Sequence, residues 1–505
     1  MQRPSSRSTL PSTRDLRKRL FVMNESPAFR RAKILCTLGP ASRDPGVFKS
    51  LVEAGLDGVR VNFSHSSHEQ AARAVELARS ASRESGRAIS VLADLQGPKI
   101  RVGLLASPLE IETGATYLAY PEDEVPGPAD STGPVQIPTT YPDLATDLGP
   151  GDRVLFDDGK IELSVLEIQD NRVLLEALEG GPLRSGKGIN LPGVEIGAPS
   201  LTEKDREDAR LALDLGVDYI ALSFVRRPDD LDELRELVAG RALLIAKIEM
   251  AQALRNLHGI LANADGVMVA RGDLGVELDF EEVPLVQKRI LRLTSRAAKL
   301  GITATQMLES MIVSSRPTRA EVSDVANALL DGTDAVMLSA ETAIGEYPVE
   351  SVSTMARIIQ RIEREPGIDE DVQGSARFRG LAPVHHTVAG AVAGAAAEAT
   401  DRLGAPFLVT FTNSGFTAWV QSAQRLKVPI LAVTDQPRTF SQLALAYGVV
   451  PLLLEAEASY ENMLESARVF ARQHGLGEEG ASFVVTAGVP FHTPGTTNYM
   501  RIETL

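Results

Sequence analysis

The sequence predicts an α/β protein built on a (β/α)8 TIM barrel, with a small all-β lid domain inserted into it and an α/β domain after it. Three observations carry this. From Ala32 onward, short apolar strands alternate with helical stretches, and the strands end near Leu38, Asn62, Asp94, Ser223, Lys247, Ala270, Thr305 and Ser339. Strand-then-helix units repeated in this number are the signature of the closed barrel. The turn after the first strand, "TLGPAS", lacks the Gly-rich pattern that an open doubly wound sheet places there. The rhythm breaks once: strand three ends near Asp94, yet the next helix begins around Thr202.

Within that break, "GDRVLFDDGKIELSVLEIQDNRVLLEALEGG" alternates apolar and polar residues between Asp-Gly and Gly-Gly turns, the pattern of antiparallel strands. The expected boundaries are a basic extension over 1–29, the barrel over 30–101 and 187–365, the lid over 102–186 and the last domain over 366–505. Helix starts are marked by Ser67 with Gln70 and by Thr202 with Asp205, both capping-box pairs. A linker, "DEDVQGSARFRG", precedes the final domain, whose strands are "APFLVTFTN", "VPILAVT", "VVPLLL" and "SFVVTAG". The small-residue helix "HTVAGAVAGAAAEAT" suits close packing at a domain or subunit contact. Active sites of such barrels sit at the strand C-termini, so a lid inserted there hinges over the site and excludes water.

With 505 residues, 44% hydrophobic and 24% charged, the composition is that of a soluble globular protein of several domains. A net charge of -15 disfavours nucleic acid or an anionic membrane as partner. Cys36, the one cysteine, cannot form an intramolecular disulfide, which fits a reducing cytoplasm. No apolar run approaches the length of a bilayer span. The first 22 residues are rich in Arg, Ser, Thr and Pro. They read as a disordered basic tail or a start assigned too early with Met23 as the true start; an organellar transit peptide is the third reading.

The polar residues at the strand ends converge on one mouth. Strand two supplies Arg60, Asn62 and Ser64; strand three supplies Asp94, then Leu95, Lys99 and Arg101; strand five supplies Lys247 and Glu249. Strand six runs into "ARGDLG" with Gly272 and Asp273, strand seven ends at Thr305, and strand eight gives Ser339 and Glu341. Glu249 and Asp273, with few other ligands, suit a hard octahedral cation such as Mg2+ or Mn2+ that retains waters and binds phosphate. Lys247, Arg60 and Arg101 supply charge for phosphate oxygens. This set suits phosphoryl transfer, and the chain has no Walker A sequence, Cys/His zinc spacing or Ser-His-Asp set. Taken singly each residue has an ordinary explanation: a strand-end Lys snorkels, Asp94 caps a helix, and "GDLG" is a common turn. Their joint placement is what argues for a site.

With these residues in place the chain resembles the pyruvate kinase family from Arg31 to Leu505. The markers are "KILCTLGPAS", "RVNFSHSSHE", "ADLQGPKIRVG", "GKGINLPG", "LTEKD", "VDYIALSFVR", "AKIE", "DGVMVARGDLGVE", "ATQMLESM", "RPTRAEVSDVANALLDGTDAVMLSAETAIGEYP" and "GTTNYMRI", in that order. The resemblance implies phosphoryl transfer from phosphoenolpyruvate to ADP, giving pyruvate and ATP, in a cytoplasmic, usually tetrameric enzyme. It implies that Glu249 and Asp273 hold the divalent metal, that Lys247 is the catalytic lysine and that Arg60 grips the phosphoryl group. Gly272, Asp273 and Thr305 match substrate contacts, and Asn62, Arg101 and Lys187 match positions near the nucleotide. Thr305, Ser339 and Glu341 match the network that protonates the enolate.

The family's monovalent-cation site is matched by Asn62, Ser64, Asp94 and the backbone near Leu95. Potassium-dependent members usually carry glutamate where this chain has Lys99, so the expectation is activity largely independent of K+. Met250 stands where members generally have Asn, Gln252-Ala253 replace an acid-Gly pair, and Ala340 stands where Gly is common. The stretch Thr412, Asn413, Ser414, Gly415, Phe416, Thr417 occupies the place of a phosphate-binding effector loop without its basic residue. That argues against activation by a sugar bisphosphate and leaves a sugar monophosphate, a nucleotide or no effector. Two other functions compete: a Mg2+-dependent aldolase or lyase acting on pyruvate-like enolates, and a non-catalytic metabolite-binding relative.

Overall fold

The computed structural model describes residues 29–123, 134–365, 387–454, 459–489 and 497–505. The linker "DEDVQGSARFRG" and all but the last residue of the basic extension, Met23 included, lie outside the described residues.

Eight parallel strands close into a barrel: Lys33–Thr37, Gly58–Asn62, Ser90–Asp94, Tyr219–Leu222, Leu243–Ile248, Gly266–Ala270, Leu300–Ala304 and Ala335–Leu338. Each ends within one residue of its expected position. Because side chains alternate along a strand, one set packs along the barrel axis, including Leu35, Leu92, Tyr219, Ile245, Met268, Ile302 and Met337. The other set, including Ile34, Cys36, Val91, Leu244, Val267 and Leu338, packs outward against the surrounding helices. The helices begin where expected: Ser67 and Thr202 form reciprocal capping boxes with Gln70 and Asp205, and Thr318 with Glu321 makes a third. The turn after the first strand needs glycine, since a Cβ at Gly39 would stand 2.3 Å from the carbonyl oxygen of Ala343.

The inserted segment forms a six-stranded sheet of Thr116–Pro121, Val135–Thr139, Arg153–Phe156, Ile161–Gln169, Arg172–Glu179 and Ile189–Asn190. Leu109–Ile111 pairs separately with Gly181–Leu183. Its core, which includes Tyr117, Phe156, Leu163 and Leu175, is separate from the barrel's. The sheet continues past Gly186: Arg101 bridges Gly188, and Ile189–Asn190 pair with Leu155 and Phe156. The two chain crossings are thus zipped to each other.

The last domain holds a five-stranded sheet in the order Val449–Leu453, Ile430–Thr434, Leu408–Phe411, Ser482–Ala487, Tyr499–Thr504, the final strand antiparallel. The small-residue helix Val388–Leu403 lies on this sheet, its Ala396 and Ala397 packed with Leu408, Ala432 and Val484. Among the described residues no helix is long and apolar enough to cross a membrane.

This domain closes the barrel's N-terminal end. Leu445 enters the axial core beside Leu35, Leu92 and Tyr219. Around it Tyr219 Oη donates to Gln442 O at 2.5 Å, Ser90 Oγ to Ser441 O at 2.5 Å and Lys33 Nζ to Val449 O at 2.7 Å, while Arg425 pairs with Asp334 at 2.7 Å. Burial lowers Lys33 to about 8. With the floor sealed, the opposite end is left for chemistry. Leu445→Ala is expected to cost about 2–5 kcal/mol, the range for a buried leucine, read as a lower midpoint in urea unfolding.

Candidate active site

Strand alternation decides what reaches the mouth. Ile245 faces the axis, so Lys247 and Glu249 project on the same side, while Ile248 is fully buried in the outer layer. Lys247 Nζ lies 2.8 Å from Glu249 Oε1 and 3.3 Å from Asp94 Oδ1, and donates to Ser223 Oγ at 2.7 Å. Burial pushes this ammonium toward neutrality, but Asp94 and Glu249 outweigh it and hold its pKa above the usual lysine range. Asp94 is 1% exposed and also pairs with Arg60, at 2.6 Å from Nη2 and 2.7 Å from Nε. Burial would raise its carboxyl; Lys247 and Arg60 reverse that and keep it below the ordinary carboxylate range. Arg60 Nη1 reaches Thr37 Oγ1 at 3.2 Å.

Glu249 has the opposite balance. Its Oε2 accepts from the Phe224 backbone N–H at 2.9 Å. Burial, with the nearby Asp273 carboxylate, nevertheless drives its pKa up against the pull of Lys247. Asp273 makes no side-chain hydrogen bond or ion pair among the described residues. Two facing carboxylates short of counter-charge are a donor set that fits a hard divalent cation.

The structure brings some expected residues together and separates others. Ser339 and Glu341 are joined: buried Glu341 accepts from the Ser339 N–H at 2.7 Å and the Leu308 N–H at 3.1 Å, and burial raises its pKa. Ser339 Oγ is itself buried with no hydrogen-bond partner. Thr305 does not bond to either of them; its Oγ1 accepts from the Gly272 N–H at 2.8 Å and donates to Ala304 O at 2.6 Å. Thr305 and Gln306 are both left-handed, with φ 67° and 54°, a strain of about 1–3 kcal/mol each for non-glycine residues.

Asn62 Oδ1 accepts from the Ser64 N–H at 3.1 Å, and Leu95 O accepts from Ser223 Oγ at 2.7 Å. Lys99 makes no hydrogen bond or ion pair through its ammonium among the described residues. Burial first, then Arg101, Lys99 and Arg60 depress the His65 pKa, so these cations surround one side of the mouth. Arg101 donates to Gly186 O at 3.0 Å, and Lys187 pairs with Asp157 of the lid at 2.7 Å. A cleft of about 970 Å3 separates lid from barrel, lined by Asp158 and Gly159 above and by Lys99, Gly272, Asp273 and Glu277 below. In the effector-like loop, Thr417 Oγ1 is engaged by Thr497 at 2.8 Å, and Asn413 faces Asp435 at 3.4 Å.

Sequence reasoning missed Ser223, Thr37, Arg271 and Glu277. Ser223 was detectable in principle, being in phase with Tyr219 and Ala221 at the end of strand four. Glu277 is 8% exposed with one carboxylate oxygen unpartnered.

A barrel with lysine, arginine and under-neutralised carboxylates gathered at its open end, beneath a β lid, suits a phosphotransferase of the barrel class. Residues 29–352 match the family described as pyruvate kinase, barrel domain, and 390–503 the pyruvate kinase alpha/beta domain. A protein of Mycobacterium intracellulare named pyruvate kinase is 46% identical over 478 residues, covering 94% of this chain and 98% of the relative. Pyruvate kinases of Mycobacterium tuberculosis and Agrobacterium vitis are each 44% identical, again over 94% of this chain and 98% of theirs. The chain belongs to the pyruvate kinase family.

Burial raises Glu277 from an ordinary 4.5 to about 7. Between those values the folded chain holds a proton that the unfolded chain has released, so this group's contribution to stability declines as pH rises from 4.5 to 7. Glu277→Gln is expected to flatten that decline, measured as the urea midpoint at pH 5 and pH 8, roughly.

Proposed function

We propose that this chain transfers the phosphoryl group of phosphoenolpyruvate to ADP, giving pyruvate and ATP, and that the residues at the barrel mouth carry the reaction. The observation that supports this most is the Lys247 ammonium, kept charged between Asp94 and Glu249 at the barrel's open end. In that role Lys247 offsets negative charge on the phosphoryl group in flight, where a fixed cation in a dry site acts with little reorganisation. Arg60, already oriented by Asp94 and Thr37, binds the same group. Glu249 and Asp273 would hold Mg2+ or Mn2+, which would supply positive charge against the phosphate when bound.

Gly272, Asp273 and Thr305 contact substrate, while Asn62, Arg101 and Lys187 serve the nucleotide, the last from the lid. Ser339 and Glu341 belong with Thr305 to the polar surroundings that deliver a proton to the released enolate. That proton matters because collapse of the enol to the ketone makes ADP phosphorylation favourable. An aldolase or lyase would need neither the lid nor Arg101 and Lys187, and a non-catalytic relative would not retain Lys247, Glu249 and Asp273 together.

The monovalent position formed by Asn62, Ser64, Asp94 and Leu95 is served by Lys99, whose charge stands in for K+. In the last domain, Asp435 beside Asn413 adds a negative group to a loop already without a basic residue, against a sugar bisphosphate effector. We place the enzyme in the cytoplasm as a homotetramer.

The test is ADP-dependent pyruvate formation from phosphoenolpyruvate with Mg2+; folded protein yielding none would remove the proposal. Lys247→Met is expected to lower turnover by at least about 100-fold, with phosphoenolpyruvate still retained in equilibrium dialysis. Exchanging Na+ for K+ is expected to change the rate by less than about twofold, since the fixed ammonium already supplies the charge; a strong K+ stimulation would refute the role of Lys99.

A further inference from the structure

The turn after strand seven is strained and yet fixed. Thr305 is β-branched, Gln306 follows it, and both sit at positive φ, where such residues stay only if their surroundings hold them. What holds them is Arg271, the first residue after strand six. Its guanidinium donates from Nη2 to Thr305 O at 2.7 Å and from Nε to Ala304 O at 3.3 Å. The fork is anchored on its far side by Asp324 of the helix Arg319–Leu330, at 2.6 Å from Nη1. The Arg271 side chain is only 10% exposed. Next to it, the Gly272 N–H grips Thr305 Oγ1 at 2.8 Å. The two residues just after strand six therefore hold the strand-seven turn by two successive carbonyls and by the threonine hydroxyl.

From this geometry we infer that Arg271 is a positioning residue for the reaction, acting through Thr305 rather than on substrate. A planar guanidinium reaches two carbonyls and a carboxylate at once, which a lysine ammonium on a flexible stem does not reproduce. When the clamp is lost, the turn relaxes toward ordinary φ and Thr305 Oγ1 leaves its place beside Gly272. The inference rests on the reading of Thr305 as part of the site that hands a proton to the enolate. In the reverse sense, that proton transfer breaks a methyl C–H bond of pyruvate, and a deuteron from solvent re-forms it. Deuterium exchange into the pyruvate methyl group thus reads the protonation step apart from phosphoryl transfer.

The experiment is a double-mutant cycle of Arg271→Lys and Thr305→Ala in the full-length enzyme with Mg2+. Arg271→Lys is expected to lower kcat and methyl exchange by about 10-fold, with KM for phosphoenolpyruvate within about twofold. In the Thr305→Ala background the same change is expected to add less than about twofold, because residues acting through one another are not additive. Asp324→Asn, which frees the fork without removing it, is expected to shift kcat in the same direction by a smaller factor. Additive losses across the cycle would overturn the inference, as would a loss expressed in KM alone, which would make Arg271 a substrate contact. Should Arg271→Lys not fold, an unchanged kcat in Asp324→Asn would overturn it equally. A wild-type enzyme that forms no pyruvate would instead refute the proposed function, so the two failures are distinct.

Discussion

The ion pairs around Lys247 are the constraint on which the barrel mouth depends. A lysine at 12% side-chain exposure with Asp94 and Glu249 against it is tolerable because each charge of the trio has an opposite neighbour. Those partners come from separate strands: Asp94 from the third, Ser223 from just beyond the fourth, Lys247 and Glu249 from the end of the fifth. Such a cluster forms only when the parallel register is correct, since a one-residue slip would turn Lys247 outward into the apolar layer that holds Ile248. The same charges that suit phosphate therefore also enforce the closed barrel.

Charge balance explains why the cluster is not self-sufficient. Asp94 has two cations and stays ionised, while Glu249 shares Lys247 with it and faces Asp273. A site relaxed for stability alone would give Glu249 a second donor. This one leaves Glu249 and Asp273 under-neutralised, with Asp273 lining the cleft beneath the lid. Unspent negative charge at an otherwise packed mouth is the arrangement in which a metal gains most from binding.

Much of this was legible in the sequence because it follows from periodicity. The strand ends and the common side of Lys247 and Glu249 come from counting by two, and the caps Ser67 and Thr202 from the residue types of the capping box. What was not legible depends on tertiary register. Ser223 looks like an ordinary strand-end serine until strand five is laid beside strand four and its hydroxyl meets Lys247 Nζ. Ile189–Asn190 are too short to announce themselves as a lid strand and are revealed by pairing with Leu155 and Phe156. The hydroxyl of Thr305 turns to Gly272 rather than to the Ser339–Glu341 pair because its backbone is left-handed, a conformation that no propensity assigns to threonine.

The departure at Met250 belongs to the same logic. It is 4% exposed and directly follows Glu249, a place from which a polar side chain could orient that carboxylate. Here Glu249 is oriented instead by Lys247 on one oxygen and by the Phe224 N–H on the other. Burying methionine thus removes a side-chain partner without orphaning the carboxylate, since backbone and lysine supply both contacts. Glu277, a buried carboxylate that also lines the cleft, keeps one oxygen unpartnered, and burial raises its pKa.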